Sequence, residues 1–204
     1  MSDADTVDVN DAVLRRALLR RERWAAAAVW KRFSPRVFSI FSRSLPRSKA
    51  SEELTQEVML HALDEASRAR RVKCLGSLVY GQAARVLRRE FRRDAFRRRY
   101  WPRSRAKAAE LVLVADRTER AALLKLYDAL DQLSAADRVL FVLHEFELLS
   151  DVEIADALDL PLLKTRKRLA RALGRIESEV DCDPLLAAYL CDDTSLDRDL
   201  QEGA

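Results

Sequence analysis

Apolar residues recur at helical spacing in one block of the chain after another. From Asp11 to Phe41 the repeat runs through Val13, Leu14, Leu18, Ala25, Ala28, Val29 and Phe33. Ser34-Pro35 is expected to interrupt it, with Pro35 in the first turn of a new helix that carries Val37, Phe38, Ile40 and Phe41. Trp24 and Trp30 fall inside this periodicity and are read as core. After the loop Leu45–Ala50, Ser51 caps a helix whose first turn holds Glu52 and Glu53, charges that suit a positive helix end. Leu54, Val58, Leu60, Ala62 and Leu63 are expected to face inward and Glu53, Gln56 and Glu57 outward. A long helix then runs from Ser77 to Trp101, burying Leu78, Val79, Ala83, Val86, Leu87, Phe91 and Phe96. Trp101-Pro102 ends it, and the polar stretch to about Glu119 reads as a linker. Leu123, Leu124, Leu126, Tyr127 and Leu130 mark the next helix. Ser134-Ala-Ala-Asp137 is a capping-type start for another, which carries Val139, Leu140, Val142, Leu143 and Phe146.

The stretch Leu149–Ile176, LSDVEIADALDLPLLKTRKRLARALGRI, has its own logic. Ser150 and Glu153 form a capping box, so a short helix should begin at Asp151 with Val152, Ile154, Ala155 and Leu158 on its apolar side. Asp159-Leu160-Pro161 breaks it, since Asp tolerates a left-handed turn and Pro161 keeps Leu160 out of the α region. A second helix from about Leu162 has Thr165, Leu169, Ala172, Leu173 and Ile176 on one side. Lys164, Lys167, Arg168, Arg171 and Arg175 lie on the other. No acid is interleaved between Lys164 and Arg175. A short helix, a minimal turn and a longer helix with a basic outer face make a helix-turn-helix pattern, with the second helix suited to the major groove.

The composition agrees with an all-α protein. The 204 residues include only 4 Gly and 5 Pro, and 49% are hydrophobic, enough for real cores. The net charge of +4 conceals segregation. The segment from Arg85 to Arg99 holds Arg85, Arg88, Arg89, Arg92, Arg93, Arg97, Arg98 and Arg99 against only Glu90 and Asp94, a density that suits phosphates. Residues 181–204 are acidic. The leader, residues 1–10, lacks the hydrophobic segment of a signal peptide, and no apolar run reaches the roughly 18–20 residues of a membrane span. A cytoplasmic protein without membrane insertion is expected. Cys74, Cys182 and Cys191 are too few and too odd for a disulfide framework, and Cys182 and Cys191 without a nearby histidine make a poor metal site. His61 and His144 have no partner at ligand spacing, so no metal or cofactor is expected. Glycine-rich phosphate loops and paired-histidine metal motifs are missing, and no serine or cysteine nucleophile stands beside a plausible base, which argues against an enzyme.

Separated stretches carry one resemblance. LSAADRVLFVLHEFELLSDVEIADALDLPLLKTRKRLARAL, residues 133–173, resembles region four of the extracytoplasmic-function (ECF) RNA polymerase sigma factors of the sigma-70 family. EELTQEVMLHAL, residues 52–63, resembles their region-two motif around DLTQEVF, and LVYGQAARVLRRE, residues 78–90, resembles their WLYGIARNVLRDE segment. Order, spacing and linker agree over roughly residues 12–177. The resemblance implies two small helical domains, region-two-like over 11–100 and region-four-like over 119–180, joined by a linker at 101–118 and followed by the acidic tail 181–204. It also implies a mechanism. Glu53, Gln56 and Glu57 would dock on bacterial core RNA polymerase. Tyr80, Arg85, Arg88, Arg89, Arg92 and Arg93 would engage the minus-ten element of promoter DNA. Lys164, Arg166, Lys167, Arg168 and Arg171 would read the minus-thirty-five element. An anti-sigma factor is a further partner it leaves room for. The chain departs from the family's pattern at Leu78 and Arg85, and again at Leu148, Asp159 and Leu163, three positions where the family carries glycine. A helix-turn-helix regulator acting without polymerase, or a sigma-like adaptor acting without promoter melting, are the alternatives the residues leave open.

Overall fold

The computed structural model describes residues 10–45, 50–68, 74–100 and 117–181. The leader before Asn10, residues 101–116 of the linker, and the acidic tail with Cys182 and Cys191 lie outside the described residues. Among the described residues there are eight α-helices and no strand, so the chain is all-α. They are α1 (Asp11–Leu19), α2 (Arg23–Ser44), α3 (Ser51–Arg68), α4 (Leu75–Tyr100), α5 (Arg117–Gln132), α6 (Ala135–Phe141), α7 (Asp151–Leu158) and α8 (Leu162–Asp181). A π-helical turn, Val142–Phe146, prolongs α6. Packing divides the chain into Met1–Leu87 with Val152–Leu160, and Arg88–Asp151 with Pro161–Ala204. The division falls between Leu87 and Arg88, within α4, a helix of about 39 Å.

In the first unit the break near the start falls at Arg20–Glu22, where Arg21 adopts φ 58, and not at Pro35. Pro35 lies inside α2. It sits on the exposed side of that helix, so the Lys31 carbonyl that loses its backbone partner can be hydrated, and the helix survives. Val29, Val37, Ile40, Phe41, Met59 and Leu87 are among the fully buried side chains that hold α1 to α4 together. Asp11 ties three helices. Its Oδ1 pairs with Arg32 at 2.9 Å, and its Oδ2 accepts the Leu75 amide at the start of α4 at 3.1 Å. A Cβ at Gly81 would stand 2.6 Å from the Ala157 carbonyl oxygen, so only glycine lets α4 and α7 approach this closely.

Trp24, Trp30, Leu60 and Phe96, all expected in the core, are exposed, and so are Val13, Phe38 and Val152, expected on apolar helix faces. In each case the helical periodicity fixes the spacing of a face but not its width, and the inner positions are filled by neighbours such as Ala25, Val29, Met59 and Phe91.

In the second unit Leu130, Leu133, Phe141, Ala172 and Ile176 form the core, and Phe146 meets Phe141 edge to face. Arg138 is buried among them as an ion. It pairs with Asp131, and its guanidinium lies 4.2 Å from the centroid of the Phe91 ring. Leu148 takes φ 53 in the turn ahead of α7. A left-handed conformation costs a branched residue about 1–2 kcal/mol, partly offset by the greater freedom glycine has when unfolded. Leu148→Gly should therefore raise stability by roughly 1 kcal/mol, seen as a higher thermal midpoint. A lowered midpoint would mean that the leucine side chain is held by contacts that outweigh the backbone strain.

Candidate polymerase and nucleic-acid interfaces

Three surfaces carry the predicted functional residues. On α3, Glu53 and Gln56 are exposed and Glu57 is half-exposed. Leu60, one turn beyond Gln56 and Glu57, shares their face. The surface is therefore two carboxylates and an amide around an apolar anchor. Periodicity alone could not reveal the leucine, because Leu60 also fits an inward count.

Along α4, Arg85, Arg89, Arg92 and Arg93 are exposed and Arg88 is half-buried. Glu90 holds Arg89 at 3.0 Å and Arg93 at 3.2 Å, in surface pairs of small energetic weight. Tyr80 is the exception on this helix. It is 5% exposed, its hydroxyl accepts a hydrogen bond from Arg36 at 3.3 Å, and its ring meets Phe33 edge to face at 6.4 Å. Such a side chain is part of the core and does not present itself to DNA.

The third surface is the helix pair α7 and α8. Helix α7 starts at Asp151, and Asp159 adopts the left-handed conformation, φ 51, that the turn requires. The Leu160 amide donates to the Ala155 carbonyl at 2.9 Å, and the Thr165 amide to the Pro161 carbonyl at 3.0 Å as α8 begins. Thr165, Leu169, Ala172 and Ile176 are buried, which fixes the rotation of α8 and turns Lys164, Lys167, Arg171 and Arg175 outward.

Two of the five predicted contacts of α8 are ion-paired within the protein, Arg168 in a largely enclosed position and Arg166 at the surface. Arg168 donates from Nε and Nη2 to Asp137 Oδ1 at 2.8 and 2.7 Å, and its side chain is 20% exposed. Arg166 donates from Nε to Asp151 Oδ2 at 3.0 Å. Asp137 also belongs to the N-cap of α6. Its amide donates to the Ser134 hydroxyl oxygen at 3.2 Å, and that hydroxyl donates back to Asp137 Oδ2 at 2.6 Å. Burial raises the pKa of the Asp137 carboxyl. The hydrogen bonds from Ser134 and Arg168 and the charges of Arg168 and Arg171 outweigh that, and hold it below its ordinary value of 3.8. A depressed folded-state pKa adds stability that is present above the ordinary value and is lost as the pH falls through the folded one. Thermal midpoints measured from about pH 5 down to about pH 2 should therefore fall less steeply in Asp137→Asn than in the parent chain. Parallel curves would show that the Arg168 pair contributes nothing to acid sensitivity.

With these surfaces in place, comparison identifies the class. The model of the sigma-70 region 4 family matches residues 123–176, a span that takes in α6, α7 and most of α5 and α8. Among solved structures, the fold matches that of CnrH, determined in complex with the cytosolic domain of CnrY. The two chains are 16% identical, with a TM-score of 0.59 over 85% of this chain and 98% of that one. A search of curated protein sequences gives no match. Residues 123–176 thus match the sigma-70 region 4 family, and the fold of the chain is similar to that of CnrH. The matched segment contains the helix-turn-helix formed by α7 and α8. No helix among the described residues is long and apolar enough to cross a membrane.

Proposed function

We propose that the chain is an ECF-type sigma factor that binds core RNA polymerase through α3 and directs initiation at promoters with minus-ten and minus-thirty-five elements. The observation that carries this reading is the exposed cationic stripe Lys164, Lys167, Arg171 and Arg175, on a helix-turn-helix within a matched sigma-70 region 4. In this reading the α3 face of Glu53, Gln56 and Glu57 meets a basic polymerase surface, with Leu60 as the desolvated anchor that such interfaces concentrate their energy on. Arg85, Arg89, Arg92 and Arg93, with Arg88 behind them, hold minus-ten phosphates while the strands separate. Tyr80 has no part in this. Arg168 positions α8 in place of reading the minus-thirty-five element itself, while Arg166, exposed beside Lys167, keeps its terminal amino groups for the DNA.

A cytosolic regulatory domain of anti-sigma type is a fitting partner, since CnrH was solved with the cytosolic domain of CnrY. The site of action is then the cytoplasm, where core polymerase and promoter DNA are found.

Replacement of Glu53, Gln56 and Glu57 by alanine is expected to leave the helical circular dichroism unchanged and to shift the thermal midpoint by no more than a few degrees, because Glu53 and Gln56 are exposed and Glu57 is half-exposed. Affinity for core polymerase should fall at least about tenfold, the loss of one well-placed charged contact or more. Leu60→Asp should do the same alone. Full polymerase binding by both variants would move the docking surface elsewhere.

A further inference from the structure

The α8 face offered to DNA is not purely cationic. Leu163, in the first turn, is 67% exposed, and Lys167 follows it one turn later. Ala170 and Gly174 continue the same line and are exposed, and a Cβ added at Gly174 would meet nothing within 4 Å. Positions 163, 167, 170 and 174 are spaced by four, three and four residues, so they share one strip of the helix beside the stripe of Lys164, Arg171 and Arg175. The strip is thin and open except at its N-terminal end. There, one large apolar side chain projects.

Arginine that reads guanine needs two guanidinium N–H groups aimed at O6 and N7. Arg168 has turned Nε and Nη2 to Asp137, whereas Arg166, exposed and paired to Asp151 through Nε alone, keeps its terminal amino groups for a base or a phosphate. Beside it in the first two turns of the exposed face stand Leu163, Lys164 and Lys167. The two lysines are compact charges that suit phosphates. The leucine can make only an apolar contact, and the single apolar group on a major-groove base edge is the 5-methyl of thymine.

We propose that Leu163 is a specificity-determining residue that reads thymine methyl groups in the duplex entered by α8. This rests on the promoter-reading role above and adds to it a base chemistry. Exposed leucines are ordinary on protein surfaces. This one sits at the N-terminal end of a helix whose rotation is fixed by buried Thr165 and Leu169, beside two lysines, on the side left open by small residues.

The test uses the full chain assembled with core RNA polymerase. Duplexes are selected from a pool randomised over the minus-thirty-five region, and each thymine of the selected sequence is then replaced in turn by 2′-deoxyuracil, which removes only the methyl. At one or two adjoining positions the replacement should weaken binding by about fourfold, the worth of one buried methyl-sized group. Leu163→Ala should bind thymine and deoxyuracil duplexes equally, and Leu163→Met should restore the preference. Lys167→Ala should weaken both duplexes by the same factor. Indifference of the parent chain to deoxyuracil at every selected position, or full discrimination by Leu163→Ala, overturns the proposal and leaves the promoter-reading role standing. Enrichment of no sequence at all overturns both.

Discussion

Arg138→Ala should lower the stability of the second unit by about 3–5 kcal/mol, the loss expected when one member of a buried ion pair is removed. For a chain of this size each kcal/mol moves the thermal midpoint by about 2–4 °C, so a drop of about 10 °C is expected. Arg138 is buried, and its partner Asp131 is nearly so, with 14% of the side chain accessible. Truncation takes the guanidinium away from that carboxylate and also leaves the face of Phe91 uncovered. The mechanism has its own signature. Arg138→Leu combined with Asp131→Leu should be less damaging than Arg138→Leu alone, because the double variant buries no charge. Equal damage in both would assign the loss to packing.

Lys164→Ala, Lys167→Ala and Arg171→Ala together should weaken binding to promoter DNA by about a hundredfold, if each supplies one charge-assisted phosphate contact. The slope of log affinity against log salt should become shallower by about 3, close to one unit per contact. Because all three side chains are exposed, the fold should be untouched. Arg168→Ala provides the contrast. Its guanidinium is held against Asp137, so its removal should lower the thermal midpoint and leave the salt slope nearly unchanged. A change in slope for Arg168→Ala as large as for Lys164→Ala would place Arg168 on the DNA and contradict its internal role.

Local chemistry made much of the fold legible. The Ser134 cap, the start of α7 at Asp151, the left-handed Asp159 and the buried side of α8 all follow from residues within a few positions of one another, where propensity and capping act. Failures came where a distant partner or the width of a face decides. Pro35 was expected to end a helix, but exposure of its side of α2 let the helix run on. The ion pair of Arg168, expected at the DNA, could not be foreseen because its acceptor, Asp137, lies 31 residues away. Tyr80 fitted a family aromatic, yet Arg36 and Phe33 from α2 enclose it. Leu60 and Leu163 were legible as apolar, but only burial of their neighbours shows that they point outward. For the candidate site, then, residue types and spacing were readable from the chain. Which cations are free to meet a ligand was not, since ion pairing is a tertiary property.

Promoter-specific initiation is the central claim, and run-off transcription with purified core RNA polymerase on genomic fragments tests it most directly. The full chain should produce discrete transcripts from a subset of fragments. Those transcripts should disappear with the Glu53, Gln56 and Glu57 alanine variant and with the Lys164, Lys167 and Arg171 alanine variant. Binding of the chain to DNA or to polymerase without any discrete transcript would contradict the account and favour an adaptor or a regulator that works without promoter melting.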